Sequence, residues 1–267
     1  MIFQSDLIDV RPESEFFCGH TPGAVGIPLE ELSRRAHELP PPGEPLRLVD
    51  SHDQRGQSAA FFLRQRGHLI DIIRFDALEM TERGPAQARL WRPNPFLEES
   101  LEAIESEQSA GARSGQKRAL DVACGSGRDS VHLALAGYRV QAIDILPDAL
   151  RRAGDLARRS GVQIELACQD LEQNPTLPTG FDVVIVFRYL HRPLVSAIKE
   201  AVKPGGHLVY ETFHEQTRST GHPPTSPNHL LRDRELQELF GDFDIRIAQD
   251  RVERDGRFFS NLLARRR

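Results

Sequence analysis

Residues 119–128 read Ala-Leu-Asp-Val-Ala-Cys-Gly-Ser-Gly-Arg. A short apolar stretch runs into a turn with two glycines, and a helical pattern follows the turn. A second apolar stretch, Tyr138–Asp144, ends in an acidic residue. A strand, a glycine turn, a helix and a second strand with an acid at its tip form a half-fold that binds a nucleoside at the carboxyl ends of parallel strands. The sequence therefore predicts a doubly wound α/β unit around this turn.

The charges around the turn indicate what the nucleoside carries. Asp121 precedes the turn, where a carboxylate repels a pyrophosphate but attracts a cation. The dinucleotide pattern G-x-G-x-x-G is not met, because Ala123 and Ser130 occupy two of its positions. S-adenosylmethionine carries an amine and a sulfonium and no phosphate, so it fits this charge. Asp144 stands where a carboxylate binds a ribose diol, and Asp170, after a third strand, is placed to receive an adenine amine.

Two further segments complete the order of motifs. Phe181–Phe187 reads as a buried strand, and Val202–Val209 (VKPGGHLV) as a Pro-Gly-Gly turn into the next strand. With these segments, residues 118–250 resemble the class I S-adenosylmethionine-dependent methyltransferases. The resemblance implies an α/β fold with a seven-stranded Rossmann-like sheet and S-adenosyl-L-methionine as cofactor. Phe187–Arg192 and Tyr210–Phe213 are similar to segments of the small-molecule branch related to tellurite-resistance enzymes.

The resemblance also implies which residues contact the cofactor. The methionine end would be held by Asp121, Gly125 and Gly127, the ribose by Asp144, and the adenine by Asp170 and Leu171. Further cofactor contacts are implied for Ala123, Cys124, Arg128, Ile145 and Phe187. Many members of the family have glycine at the position of Ala123, a departure that leaves the assignment standing.

The segment after the fourth strand supplies substrate-side candidates, because open α/β sheets bind ligands beyond the carboxyl ends of their strands. Arg188 and Arg192 could bind an anion or a carboxylate there, and Tyr189 lies between them. The alternative interpretation is that Tyr189 packs at a helix start while both arginines are solvated. Glu211, at the end of the fifth strand, either lines the pocket or pairs with an arginine. No metal is expected, because the later histidines lack metal-ligand spacing.

The first part of the chain alternates strands and helices in the same way, with a helix predicted near Glu30–Glu38. Asp9–Phe16, Gly19–Ala24 and Ile27–Pro28 resemble the rhodanese fold. Active members carry a persulfide-forming cysteine where this chain has His52 or Asp53, and neither can carry a persulfide. The resemblance therefore implies a smaller α/β domain without sulfurtransferase activity, whose role is structural or docking.

The predicted domains are a degenerate rhodanese-like domain at 1–79, a connector with an amphipathic helix at 80–117, and a methyltransferase domain at 118–267. In the connector, Phe96–Ile104 is predicted to be helical and Glu105–Gln116 to be a loop. In the last domain, the predicted strands are 119–123, 138–143, 162–167, 181–187, 205–213, 243–248 and 258–263. The predicted helices are 128–136, 147–159, 193–202 and 232–240.

The composition and net charge of the chain limit the classes of partner that it can bind. The chain has 267 residues, 39% of them hydrophobic and 27% charged, and a net charge of −5 without a dense basic face. These values favour a globular cytoplasmic protein with a small-molecule methyl acceptor, such as a thiol or a chalcogen compound, and without a nucleic-acid or membrane partner. A methyltransferase for RNA or protein is the alternative enzyme. A non-catalytic scaffold or sulfur-responsive module that binds the cofactor is the alternative from another class.

Overall fold

The computed structural model describes residues 3–50, 54–75, 79–86, 88–108, 115–253 and 255–267. The chain divides into two compact units, Met1–Arg92 and Pro93–Arg267. The boundary lies inside the stretch that the sequence treats as a connector. In the described part of the chain, no helix has both the length and the apolar character needed to cross a membrane.

The first unit is built on a small parallel sheet. Its elements are β1 (Phe3–Gln4), β2 (Leu7–Asp9), α1 (Glu13–Cys18), β3 (Val25–Gly26), β4 (Pro45–Asp50), α2 (Arg55–Gln65), β5 (Leu69–Arg74) and β6 (Ala88–Arg89). The main sheet has the order β3-β2-β4-β5, and β1 pairs with β6. Buried residues such as Ile8, Leu48 and Leu63 form its core. This unit confirms the predicted small α/β fold.

The helix predicted near Glu30–Glu38 is wrong. Two short 3-10 segments, Leu29–Glu31 and Ala36–Glu38, stand in its place. Residues 32–35 form turns between the two segments, and the Arg35 side chain there donates to the Gly26 carbonyl, so the helical pattern is interrupted. The loop predicted at Glu105–Gln116 is wrong in its first part, because helix α3 continues to Gln108.

The second unit contains a larger sheet. Its elements are α3 (Pro95–Gln108), β7 (Arg118–Val122), α4 (Arg128–Leu135), β8 (Arg139–Asp144), α5 (Pro147–Arg159), β9 (Ile164–Cys168), β10 (Phe181–Phe187), α6 (Val195–Ala201), β11 (Val202–Phe213), α7 (Glu235–Leu239), β12 (Asp244–Val252) and β13 (Phe258–Arg265). Among the described residues this sheet has seven strands in the order β12-β13-β11-β10-β7-β8-β9. Strand β13 runs antiparallel to both of its neighbours, and the pairs from β11 to β9 are parallel. The predicted seven-stranded Rossmann-like sheet is confirmed.

Strand order places the functional end of this sheet. From β7 the chain winds outward through β8 to β9, and then returns to the other side of β7 as β10 and β11. The carboxyl ends of β7 and β10 therefore flank a topological switch point, where open α/β sheets form a ligand crevice. Apolar clusters cover both faces of the sheet: Phe96 and Leu97 of α3 pack on one, and Phe240 with α6 and α7 on the other.

Candidate functional site

The glycine turn at the switch point has an unusual backbone. Ala123, Gly125 and Gly127 all have positive φ, at 60°, 54° and 76°. The Cys124 amide donates to the carbonyl of Ile143, which ties the turn to the end of β8 at 2.9 Å. Burial raises the pKa of the Cys124 thiol, with the nearby Asp121 carboxylate adding to the effect, so this cysteine is held as a thiol rather than a reactive thiolate.

The two glycines of the turn serve different purposes. A Cβ at Gly127 would lie 2.5 Å from the Cβ of Ala153 on α5, so only glycine lets α4 start this close to α5. A Cβ at Gly125 would meet nothing within 4 Å. Gly127 is therefore needed for packing, whereas the backbone at Gly125 borders open space.

Asp144, the last residue of β8, holds the turn in place. One carboxylate oxygen accepts the Gly125 amide at 2.8 Å, and the other accepts the Leu146 amide at 2.9 Å. The next two residues, Ile145 and Leu146, are 52% and 59% exposed. A carboxylate oxygen has more than one lone pair, so each can still accept a hydroxyl from a ligand beside these apolar side chains.

Asp121 is a buried carboxyl that has no cationic partner among the described residues. It is 1% exposed, and its Oδ2 accepts the hydroxyl of Ser130 at 2.5 Å. Burial raises its pKa to about 8, and the carboxylates of Asp129 and Asp144 push it the same way. The raised pKa favours the neutral carboxyl near pH 7, and a cation close to it would favour the carboxylate.

The third strand tip lies beside the substrate-side segment. Asp170 accepts the backbone amides of Glu172 and Gln173, which fixes a turn after β9, and Leu171 is buried. Burial raises the pKa of the Tyr189 hydroxyl to about 12, with Glu172 and Asp170 as nearby negative charges. The structure thus brings Tyr189 close to the third acidic tip.

A second polar group gathers around Asn94, at the start of α3. The backbone N–H of Asn94 donates to Asp129 Oδ1 at 2.7 Å. The side-chain Nδ2 of Asn94 donates to Glu211 Oε1 at 2.6 Å. Its Oδ1 accepts the Phe96 amide, which fixes the side chain. Burial raises the pKa of the Asp129 carboxyl to about 6, and it also raises the pKa of the Glu211 carboxyl. The positive charge of Arg188 opposes the shift at both groups. Sequence reasoning missed Asp129, although its place one residue after Gly-Ser-Gly-Arg was a signal.

The two arginine candidates have different surroundings. Arg188 follows β10 with a positive φ of 57°, is exposed, and pairs with Glu253 at 3.0 Å. Arg192 donates to both oxygens of Glu235 and to the carbonyl of Leu230. The structure therefore places Arg188 beside the Asn94 group, whereas the Arg192 guanidinium holds a neighbouring loop. Of the remaining predicted cofactor residues, Phe187 is the half-buried last residue of β10 and Arg128 begins α4.

One group of potential metal ligands lies apart from these residues. In the part of the chain that the structure describes, ligand atoms of His214, Asp233 and Asp250 all lie within 4.8 Å of one another. His214 Nδ1 accepts the amide of Gln216, so the neutral ring carries its proton on Nε2. That tautomer offers no lone pair toward the carboxylates, and the expectation of no metal stays a prediction.

Comparison with known proteins agrees with this fold. Residues 119–206 match the family described as a methyltransferase domain, and residues 1–76 match the rhodanese-like domain. The ubiquinone biosynthesis O-methyltransferase of Bordetella bronchiseptica is 31% identical over 60% of this chain and 70% of its own length. Such O-methyltransferases are matched over 45% to 70% of their length. An uncharacterized protein of Schizosaccharomyces pombe is 25% identical over 97% of this chain and 93% of its own.

A solved structure has the same fold. TehB from Haemophilus influenzae superposes with a TM-score of 0.51 and 18% identity, over 64% of this chain and 62% of its own. The chain belongs to the class I S-adenosylmethionine-dependent methyltransferases. Its cofactor is S-adenosylmethionine, and the methyltransferase domain follows a rhodanese-like domain.

Proposed function

We propose that the second unit transfers a methyl group from S-adenosylmethionine to a small molecule, with the cofactor lying across the carboxyl ends of β7, β8 and β9. The observation that supports this most is the buried Asp121 carboxyl, which has no cationic partner among the described residues and lies beside an open glycine turn. The cofactor supplies an activated methyl group on a sulfonium. The protein's task is to align the acceptor with that methyl group and exclude water.

Each strand tip has a role in this proposal. Asp121 and the turn at Gly125 hold the amino-acid end of the cofactor. The oxygens of Asp144 accept the ribose hydroxyls, and the exposed Ile145 covers one face of the adenine. Asp170, which fixes the turn after β9, and the buried Leu171 would contact the adenine amine and the ring edge. Of the sequence-derived contacts, Ala123 and Gly127 act through the shape of the turn.

The acceptor remains open between two classes of small molecule. The resemblance favours a thiol or a chalcogen compound, while the names of the O-methyltransferase relatives favour oxygen. RNA or protein acceptors are the weaker candidates, because the net charge is −5 and basic residues form no dense run other than Arg265–Arg267. A cofactor-binding scaffold would bind the cofactor without turnover.

The first unit is proposed to have no sulfurtransferase activity. The residues at the persulfide position, His52 and Asp53, lie outside the described residues, but neither side chain carries sulfur. Cys18, at the end of α1, is exposed and lies far from that position in the sequence. A cyanide-dependent thiocyanate signal from thiosulfate that is lost in Cys18→Ser would contradict this proposal.

Calorimetry with S-adenosylhomocysteine tests the cofactor site. Asp144→Ala should weaken binding by about 10- to 100-fold, because charge-assisted hydrogen bonds to the ribose contribute about 1.5–3 kcal/mol. Asp148→Ala is the matched control, since Asp148 lies four residues later, is exposed and, among the described residues, forms an ion pair with Arg151 alone. Binding by Asp144→Ala with wild-type affinity, or no binding by the wild type, would refute the site.

A further inference from the structure

Strand register brings three side chains together at the carboxyl edge of the second sheet. Phe187 on β10 lies opposite Glu211 on β11, and Glu211 lies opposite Asn261 on β13. Residues directly opposite in a sheet project from the same face. Val209, two residues before Glu211, packs in the apolar cluster with Phe96 of α3, so all three side chains face the α3 side.

Asn261 is an unusual residue in this row. It is 2% exposed, and neither its Nδ2 nor its Oδ1 has a hydrogen-bond partner in the described part of the chain. A buried amide without partners costs free energy, and native structures seldom leave both atoms unpaired. The pair of atoms requires a group that both donates and accepts a hydrogen bond.

Glu211 offers a free oxygen beside this amide. Its Oε1 is held by Asn94, and its Oε2 has no hydrogen bond to any described residue. The side chain is 3% exposed, and burial raises the pKa of the carboxyl, which makes its anion a stronger base than a surface glutamate. Arg188 lies near enough to oppose that shift, but its guanidinium is already paired with Glu253.

We propose that Glu211 and Asn261 form the acceptor subsite and that they select a neutral hydroxyl group. This inference rests on the proposed methyltransferase function and deepens it. The hydroxyl donates its hydrogen to Glu211 Oε2 and accepts from Asn261 Nδ2. The second lone pair of its oxygen stays free to attack the methyl carbon. A second hydroxyl on the neighbouring carbon of the acceptor would donate to Asn261 Oδ1.

The reaction step balances without any further reactant. The acceptor oxygen forms a bond to the methyl carbon, and the carbon–sulfur bond breaks with its electron pair left on sulfur. The hydroxyl proton passes to Glu211 Oε2. The products are a methyl ether, a neutral thioether and a protonated Glu211, which later loses its proton to solvent.

The charge of the subsite separates the acceptor classes. A hydroxyl group ionises poorly at neutral pH and needs a base during methyl transfer. A thiolate or selenolate needs no base and would be repelled by the Glu211 carboxylate. The structure therefore favours oxygen over the chalcogen acceptors that the sequence suggested.

The test uses the full chain with S-adenosylmethionine and two acceptors, catechol and benzenethiol, with product detected as released S-adenosylhomocysteine. Glu211→Gln keeps the size of the side chain and an oxygen for Asn94. It should lower kcat with catechol by about 10²- to 10⁴-fold. In the wild type, kcat/KM with catechol should rise with pH through the pKa of Glu211, and the variant should lose this acid limb. Glu165→Gln, at the exposed far edge of the sheet, is the matched control.

The outcomes decide the proposal separately from the cofactor site. Glu211→Gln and Asn261→Leu should both bind S-adenosylhomocysteine as the wild type does, and Asn261→Leu should raise KM for catechol at least tenfold. Wild-type kinetics in either variant, or transfer to benzenethiol but not to catechol, would overturn the subsite. No transfer to either acceptor by a protein that binds S-adenosylhomocysteine would overturn it as well. If the wild type itself does not bind S-adenosylhomocysteine, the proposed function is contradicted instead.

Discussion

Two buried aspartates, each at the carboxyl end of a parallel strand, differ in what neutralises them. In the first unit, Asp9 is fully buried and accepts the Arg11 guanidinium through both oxygens, with the closest contact at 2.6 Å. In the second unit, Asp121 is as deeply buried, its hydrogen bonds come from Ser130, and no cation lies beside it among the described residues. A buried carboxylate that carries its own cation is complete within the fold. One that lacks a cation among the described residues is suited to receive it from a ligand.

This difference between the two aspartates agrees with the resemblance of the first unit to the rhodanese fold and of the second unit to the methyltransferases. In the rhodanese-like unit the carboxylate of Asp9 at the strand tip is paired with Arg11 inside the fold. In the methyltransferase unit the buried Asp121 has no cationic partner among the described residues, and it lies beside a glycine turn whose Gly125 borders open space. The contrast supports a structural role for the first unit and a ligand-binding role for the second, and substitutions at the two aspartates can break it.

The largest effect is expected at Asp9. Asp9→Ala should lower the free energy of unfolding of the first unit by about 3–5 kcal/mol, because it leaves the Arg11 guanidinium buried and unpaired. Differential scanning calorimetry of the full chain measures the change. Asp6→Ala is the control, since the exposed Asp6–Arg47 pair should contribute about 1 kcal/mol or less. Equal losses in the two variants would remove the distinction.

Substitution of Asp121 should weaken ligand binding without lowering the stability of the free protein, the reverse of what is expected at Asp9. Asp121→Asn should weaken S-adenosylhomocysteine binding by about 10- to 100-fold, because an amide cannot form the charge-assisted bond of about 1.5–3 kcal/mol. The free protein should be as stable as the wild type or more stable at pH 7. Calorimetry of binding and of unfolding gives both values. A large loss of stability without ligand would mean that Asp121 is structural, as Asp9 is.

The raised pKa of Asp121 also predicts a proton linkage. Because the folded pKa of about 8 lies above the unfolded value, the folded protein holds the proton longer. The free protein should therefore lose stability as pH rises from about 4 to 8. A cationic ligand favours the charged carboxylate, so binding at pH 7 should release about one proton. Titration in two buffers of different ionisation enthalpy measures this release, and Asp121→Asn should abolish it.

The sequence predicted some parts of the molecule better than others for physical reasons. Strand β10 falls on the predicted residues because a strand buried on both faces is a continuous apolar run. The helix predicted at Glu30–Glu38 was wrong because residues 32–35 form turns and Arg35 bonds to the distant Gly26 carbonyl, a contact that helical periodicity does not encode. The position of Asn261 opposite Glu211 was not predicted, because it depends on the register between β11 and β13, which no local pattern encodes. The partnership of Asn94 with Asp129 and Glu211 likewise needs contacts between residues far apart in the sequence.

A smaller effect distinguishes the two glycines of the turn. Gly127→Ala should lower the free energy of unfolding by about 1–3 kcal/mol, because the new Cβ would meet Ala153 at 2.5 Å. Gly125→Ala has open space around it, so its cost should be limited to about 1 kcal/mol from the positive φ. Urea denaturation of both variants measures which one loses more free energy of unfolding. A larger loss at Gly125 would show that the space beside it is not available to a ligand.

The smallest effect is expected at Ala123, which has a φ of 60° at the start of the turn. Left-handed backbone costs an L-residue about 1–2 kcal/mol, and glycine avoids this cost while losing more entropy on folding. Ala123→Gly should therefore raise the free energy of unfolding by about 1 kcal/mol or less, and leave S-adenosylhomocysteine affinity unchanged if the backbone keeps its path. Urea denaturation and calorimetry measure the two quantities. A gain in affinity that exceeds the gain in stability would show that the alanine methyl group presses on the cofactor, which would make the turn a ligand contact as well as a support.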